Sequence, residues 1–153
     1  AIYGDDAPNT WSAYMDFLDR SQQMDDMLEA LTDGHEGAEL WHGLDIRPED
    51  EITIKRRFSA LIQGSSDLDE RLKASGIDTL IITGTATNVC CESTARDAFM
   101  LNYRTLMVSD ANAAGSDELH NASLNALFSR FADVFSTDEV LALLGETNAA
   151  AAE

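Results

Sequence analysis

The 153-residue chain carries 28 acidic against 10 basic residues, for a net charge of −18. That charge excludes nucleic acid and anionic membrane surfaces as partners, since both repel an acidic chain. The length suits a single domain over residues 1–153, and with no apolar run near about 18 residues and no charged-then-apolar leader the expectation is a soluble, cytoplasmic protein. Two adjacent cysteines, Cys90 and Cys91, cannot build a disulfide framework, and free thiols fit a reducing compartment.

In chain order, Asn9-Thr10 is placed to cap a helix through Trp11, Tyr14, Met15, Leu18, Met24, Met27, Leu28 and Leu31, interrupted by the polar stretch Asp19 to Gln23. Residues 33–50 hold Gly34, Gly37, Gly43 and Pro48 and read as loop, with a helical turn near Glu39 to His42. Ile52-Thr53-Ile54 reads as a short strand, and Ser66 to Ser75 as an amphipathic helix with a capping serine and Gly76 just beyond its end. Asp78 to Gly84 is a continuous apolar run closed by glycine, the pattern of a parallel strand buried on both faces. A helix over 88–101 follows, then a strand from Tyr103 to Val108 ending at Ser109-Asp110, where Asp110 and Ala111 organise a turn. Helices over Ser116 to Ala132 and Thr137 to Leu144 flank a strand at Val134-Phe135, and Asn148 to Glu153 are expected to fray. Strands alternating with helices predict an α/β fold with a parallel sheet.

The chemistry concentrates in Thr83-Gly84-Thr85-Ala86-Thr87-Asn88-Val89-Cys90-Cys91, which puts a cysteine at the start of a helix directly after a strand. Helix N-termini carry unpaired N–H groups and a partial positive charge, which favour a thiolate and can cradle an oxyanion. Helical register separates the two thiols. Cys91, Ala95, Ala98 and Phe99 form an apolar stripe, whereas Cys90 stacks over Thr94 and Asp97. Cys91 is therefore a core residue and Cys90 the candidate nucleophile. Lys55 follows the short strand 52–54, at the sheet edge where α/β folds place their sites, and a lysine beside a thiol favours its ionised form.

The segments Ile-Lys-Arg-Arg-Phe-Ser-Ala (54–60), Gly-Ser-Ser-Asp-Leu (64–68), Gly-Ile-Asp-Thr-Leu-Ile-Ile-Thr-Gly-Thr-Ala-Thr-Asn-Val-Cys (76–90), Ser-Thr-Ala-Arg-Asp-Ala (93–98) and Val-Ser-Asp-Ala (108–111) together resemble the isochorismatase-like cysteine hydrolases, over about residues 37–144. That family includes nicotinamidases, N-carbamoylsarcosine amidohydrolases and ureidoacrylate hydrolases. The resemblance implies a doubly wound, mainly parallel sheet with helices on both faces. It also implies that Cys90 is the nucleophile and Lys55 a member of an Asp-Lys-Cys triad, and that the Thr85–Ala86 peptide is cis. The N–H groups of Ala86 and Cys90 would then form an oxyanion hole, and Arg57 and Asn88 are the substrate-contact candidates, with a structural ion pair the equal alternative for Arg57. The implied reaction is hydrolysis of a C–N bond in a small amide, ureido or carbamoyl compound through a thioester, with homo-oligomerisation expected.

The sequence departs from the family at its start. The family's N-terminal strand-helix-strand has no counterpart here, Ala1-Ile2-Tyr3 resembling the tail of its second strand, and with it goes the segment bearing the triad aspartate. The expectation is that a separate N-terminal segment supplies that residue, because Asp5, Asp6 and Asp16 follow no apolar strand. His35, His42 and His120 show no ligand spacing, so neither metal nor cofactor is expected. Thr87 and Asn88 are placed to cap the nucleophile's helix, and Trp11, Tyr14 and Phe58 read as core or interface residues, with segment 11–31 a contact surface. Two further readings stand beside the hydrolase: a catalytically silent assembly subunit, motivated by the absent aspartate, and a thiol redox protein. The last ranks lowest because adjacent cysteines on one helix reach disulfide geometry only with strain.

Overall fold

Three parallel strands in the order β1-β2-β3 organise the molecule: β1 is Thr79–Thr85, β2 Arg104–Ala113 and β3 Asp133–Phe135. A computed structural model describes residues 22–32 and 34–150. The expected helix over 10–31 is thus seen only as α1, Gln22–Ala30, while Trp11, Tyr14, Asp5, Asp6, Asp16 and most of segment 11–31 lie outside the described residues. In the loop beyond it, a single 3-10 turn forms at Glu36–Ala38, earlier than the expected turn at Glu39 to His42. His35 decides its place, because its Nδ1 accepts the Gly37 N–H at 3.1 Å and caps the turn there.

The expected strand 52–54 does not form. Ile52 and Ile54 are 60% and 50% exposed, and the run has no ladder partner among the described residues. It is tied instead to α2, Leu68–Ala74: Arg71 bonds to Glu51, to Thr53 Oγ1 at 2.8 Å and to the Ile52 carbonyl at 3.4 Å. Three residues make too short a strand to persist without a neighbour. The helix α2 ends as its sequence predicts, with Gly76 in the left-handed region at φ 70°, which a glycine adopts without a Cβ penalty.

The strand expected to be buried on both faces is half-buried. Leu80 and Ile82 are half-buried and Ile81 is 43% exposed, the alternation of a strand covered on one face by the described residues. The second strand runs past Ser109-Asp110 to Ala113, since Gly84 and Thr85 pair with Asn112 and Ala113 beyond an irregularity in the ladder. The Asn112 side-chain amide fills that irregularity, donating to the carbonyls of Ile82 at 3.0 Å and Val108 at 2.7 Å. Asp110 is consequently not a turn residue. It accepts both the N–H and the hydroxyl of Thr137 at 2.8 Å and caps the helix that follows β3.

Between β1 and β2 the chain makes a π-type turn, Thr87–Cys91, and then α3, Glu92–Met100. Helix α4, Asp117–Phe128, starts at a Ser116 cap that accepts the Leu119 N–H. It stops short of the expected Ala132, because the Leu127 carbonyl accepts the N–H groups of Arg130, Phe131 and Ala132 together and turns the chain into β3. Helix α5, Thr137–Ala150, packs against β2 and continues helical through Asn148, where fraying was expected.

One core joins Cys91 and Ala95 to Met107 of β2 and Leu124 and Leu127 of α4, and a second joins Leu61 and Ala98 to Tyr103. Phe99, expected on the buried stripe with Cys91, Ala95 and Ala98, is 48% exposed. It stands edge-on to Phe131 with ring centroids 5.8 Å apart.

Candidate active site

β1 delivers the chain to the site. Beyond Gly84, whose φ of 125° only glycine adopts without strain, the Thr85–Ala86 peptide is cis, and the π-type turn begins at Thr87. The Ala86 carbonyl accepts the N–H groups of Val89 at 3.1 Å and Cys91 at 3.3 Å, the wider closure that distinguishes this turn from an α-helix. Regular helix starts only at Glu92, so Cys90 lies on the turn rather than within the helix predicted over 88–101.

The two thiols are both free, with Cys91 buried and Cys90 half-buried. Burial pushes the Cys91 thiol up to about 11; its neighbour Cys90 adds to the shift and Lys55 opposes it. Cys91 therefore behaves as a small hydrophobe in the core, packed with Ala95, Met107, Leu124 and Leu127.

Lys55 reaches the same place from an irregular segment. Its ammonium donates to the carbonyls of Arg57 at 3.1 Å and Phe58 at 3.0 Å. A cavity of about 300 Å³ is lined by Lys55, Gly84, Thr85, Cys90 and Thr94, together with Cys91 and the backbone from Ile81 to Thr83. The structure thus brings Lys55, Thr85 and Cys90 together at the C-terminal end of β1. Among the described residues that line the cavity, none carries a carboxylate.

Other expected contacts fall elsewhere. Arg57 lines two neighbouring grooves rather than this cavity, and its guanidinium donates to the Arg56 carbonyl at 2.7 Å. Asn88 and Ala86 are half-buried on the turn without lining the cavity. Thr87 and Asn88 do not cap the helix: the cap position is Ala86, with no side-chain bond, because the Thr87 hydroxyl is bonded to His120 Nδ1 at 2.9 Å. Phe58 lines a groove with Met100. Of the histidines, His35 caps its turn, His42 leans on Trp41 with ring centroids 4.0 Å apart, and His120 holds Thr87. Among the described residues no three His, Cys, Asp or Glu side chains converge on a metal position.

Three residues that sequence reasoning left aside support the site. Thr94 donates to the Cys90 carbonyl at 2.7 Å and accepts the Ala60 N–H at 3.2 Å. Ser123 shares its one hydroxyl proton between Glu92 Oε2 at 2.7 Å and the Thr87 carbonyl at 3.3 Å, and His120 sits one helical turn before it on α4. The signal for Thr94 was present in its i+4 spacing from Cys90; nothing local pointed from α4 to Thr87.

The site thus consists of a strand that ends in a cysteine-bearing turn, with a lysine brought beside it by a separate segment. The isochorismatase domain model matches residues 7–139, and the chain belongs to that family. Ureidoacrylate amidohydrolase RutB of Caulobacter vibrioides is 38% identical over 117 residues, covering 76% of this chain and 51% of that protein. Among solved structures, a cysteine hydrolase from Pseudomonas syringae superposes with a TM-score of 0.69 at 32% identity, covering 78% of this chain and 62% of that one. N-carbamoylsarcosine amidase from Thermoplasma acidophilum gives a TM-score of 0.62 at 30% identity, covering 71% and 60%. The chain spans about half the length of the curated relatives it matches.

Proposed function

We propose that the protein is a cysteine hydrolase that cleaves a C–N bond in a small amide, ureido or carbamoyl substrate through a thioester on Cys90. The observation that carries this reading is the shared cavity of Cys90 and Lys55 beside Gly84 and Thr85. Relatives whose names state amide-type hydrolysis support the substrate class.

In this reading Cys90 Sγ, as thiolate, attacks the substrate carbonyl carbon. The N–H groups of Ala86 and Cys90 hold the oxyanion. The C–N bond breaks as the leaving nitrogen takes the proton lost by the thiol, and water then cleaves the thioester to give the acid and return the proton to sulfur. Lys55 places a positive charge at the cavity that Cys90 also lines. In this reading the carboxylate that relays the proton lies outside the described cavity-lining residues, and Arg57 and Asn88 act at the substrate-bearing rim.

The test is hydrolysis by the full-length protein of a panel containing nicotinamide, ureidoacrylate and N-carbamoyl amino acids, with Cys90→Ser and Lys55→Met beside the native chain. Ammonia release by the native chain, lost in Cys90→Ser with a covalent acyl adduct on Cys90 in rapid-quench mass spectra, is the expected result. A protein that folds and turns over none of these compounds, with Cys90 no more reactive than free cysteine, would support the silent-subunit reading.

A further inference from the structure

We propose that Thr94 is a positioning residue whose hydroxyl couples the segment carrying Lys55 to the turn carrying Cys90. The inference rests on the reading of Cys90 and Lys55 as a functional pair and adds what holds them in register.

Lys55 does not sit on a regular element. Residues 51–67 contain no helix and no strand, so the position of its ammonium is only as fixed as the loop beneath it. Buried serine hydroxyls organise that loop from within. Ser65 Oγ donates to the Ser59 carbonyl at 2.6 Å and accepts the Arg57 N–H at 3.2 Å, Ser59 Oγ accepts the Leu61 N–H at 3.1 Å, and Ser66 Oγ donates to the Ala60 carbonyl at 2.7 Å. Lys55 is part of the same body, because its own acceptors are the carbonyls of Arg57 and Phe58. The loop is therefore internally fixed, and what matters for the site is how it is fixed to the turn.

A helical threonine ordinarily donates its hydroxyl back to the carbonyl four residues earlier, a bond that satisfies the side chain and has no further consequence. Thr94 does this to Cys90 at 2.7 Å. It also accepts the N–H of Ala60, which is 34 residues away in sequence, at 3.2 Å. A hydroxyl has one donor and two acceptor sites, and donation to Cys90 fixes the direction of the lone pairs that receive Ala60. One oxygen atom thus spans from the residue adjoining the loop's serine network to the backbone of the candidate nucleophile. It does so at the wall of the cavity that Lys55 and Cys90 share. Leu61 packs with Ala98 and Tyr103 and holds the loop near the helix, but apolar contacts are non-directional and tolerate sliding, whereas a two-sided hydrogen bond fixes register.

The measurement is the iodoacetamide labelling rate of Cys90 in the full-length folded protein between pH 6 and 9, resolved by peptide mass, in Thr94→Val, Thr94→Ser, Lys55→Met and the Thr94→Val/Lys55→Met pair. Thr94→Val keeps the shape and removes the hydroxyl, and Thr94→Ser keeps the hydroxyl. We expect Lys55→Met and Thr94→Val each to slow labelling about tenfold and to shift its pH profile, Thr94→Ser to stay within about threefold of native, and the double variant to be no slower than either single one, since a misplaced lysine has nothing left to lose. If Thr94→Val does not fold by circular dichroism, Thr94→Ala is read the same way. Native-like labelling in a folded hydroxyl-free variant while Lys55→Met is slow, or strictly multiplicative effects in the pair, would overturn the coupling role alone. A Lys55→Met variant that labels like the native chain would overturn the pairing of Lys55 with Cys90 itself, and the inference with it.

Discussion

Thr87 Oγ1 lies 2.9 Å from His120 Nδ1, so the first residue of the cysteine-bearing turn is fastened by its side chain to α4. Ser123, one helical turn along, holds the same residue through its carbonyl. Thr87 is fully buried, and its hydroxyl has no water to turn to if His120 is lost. His120→Leu is expected to cost about 1 kcal/mol and to speed amide exchange at Val89 and Cys91 about fivefold. His120→Asn, whose amide reproduces the Nδ1 position, is expected to restore most of the protection; His120→Gln, which mimics Nε2 instead, is not.

The two cysteines are expected to separate cleanly in a thiol count. With its thiol pushed up to about 11 by burial, Cys91 is about one part in a thousand thiolate at pH 8. Folded protein at that pH should take up iodoacetamide at Cys90 only, and protein unfolded in guanidinium at both. Cys91→Ala is expected to lower stability by about 1 kcal/mol through lost packing while leaving Cys90 labelling unchanged. Equal labelling of the two thiols in the folded chain would contradict the buried placement.

The buried Tyr103 phenol donates to Asp69 Oδ1 at 2.8 Å, and Lys73 donates to Asp69 Oδ2 at 2.8 Å. The Lys73 and Tyr103 bonds hold the Asp69 carboxyl below its ordinary value, while burial and the Asp69 carboxylate push the phenol up to about 12. A lowered carboxyl contributes above its unfolded value and loses its contribution as pH falls through the folded one. A raised phenol contributes below its unfolded value and loses it as pH rises through about 12. Tyr103→Phe is therefore expected to cost about 1–2 kcal/mol on a plateau between about pH 5 and 9, with the difference shrinking on either side. Urea unfolding across that range reads it.

Asp110 reaches from β2 to cap α5, and its bonds from the Thr137 hydroxyl and N–H hold it below the ordinary carboxylate range. Asp110→Ala is expected to lower the thermal midpoint at pH 7, and Asp110→Asn to lower it less, because the amide oxygen still accepts. The cap's contribution is present above the unfolded carboxyl value and lost as pH falls through the folded one, so the difference between native and Asp110→Ala should close under acid. A gap that persists unchanged at pH 2 would show that the cap is not the cause.

What the sequence determined by itself was local. The apolar run before Gly84, the glycine past α2 and the stripe Cys91, Ala95, Ala98 each follow from the residues in place, because turn chemistry and helical period act over a few positions. The same locality separated Cys90 from Cys91. Tertiary structure decided the rest. Among the described residues Ile52-Thr53-Ile54 has strand chemistry yet no ladder partner, β1 reads as fully buried yet is covered on one face, and Asp110 looks like a turn residue yet caps a helix 27 positions on. The meeting of Lys55 with Cys90, the grip of His120 on Thr87 and the bridge from Thr94 to Ala60 join segments more than thirty residues apart. No periodicity reports such contacts, since hydrogen bonds of that range exist only once packing has brought the donors and acceptors together.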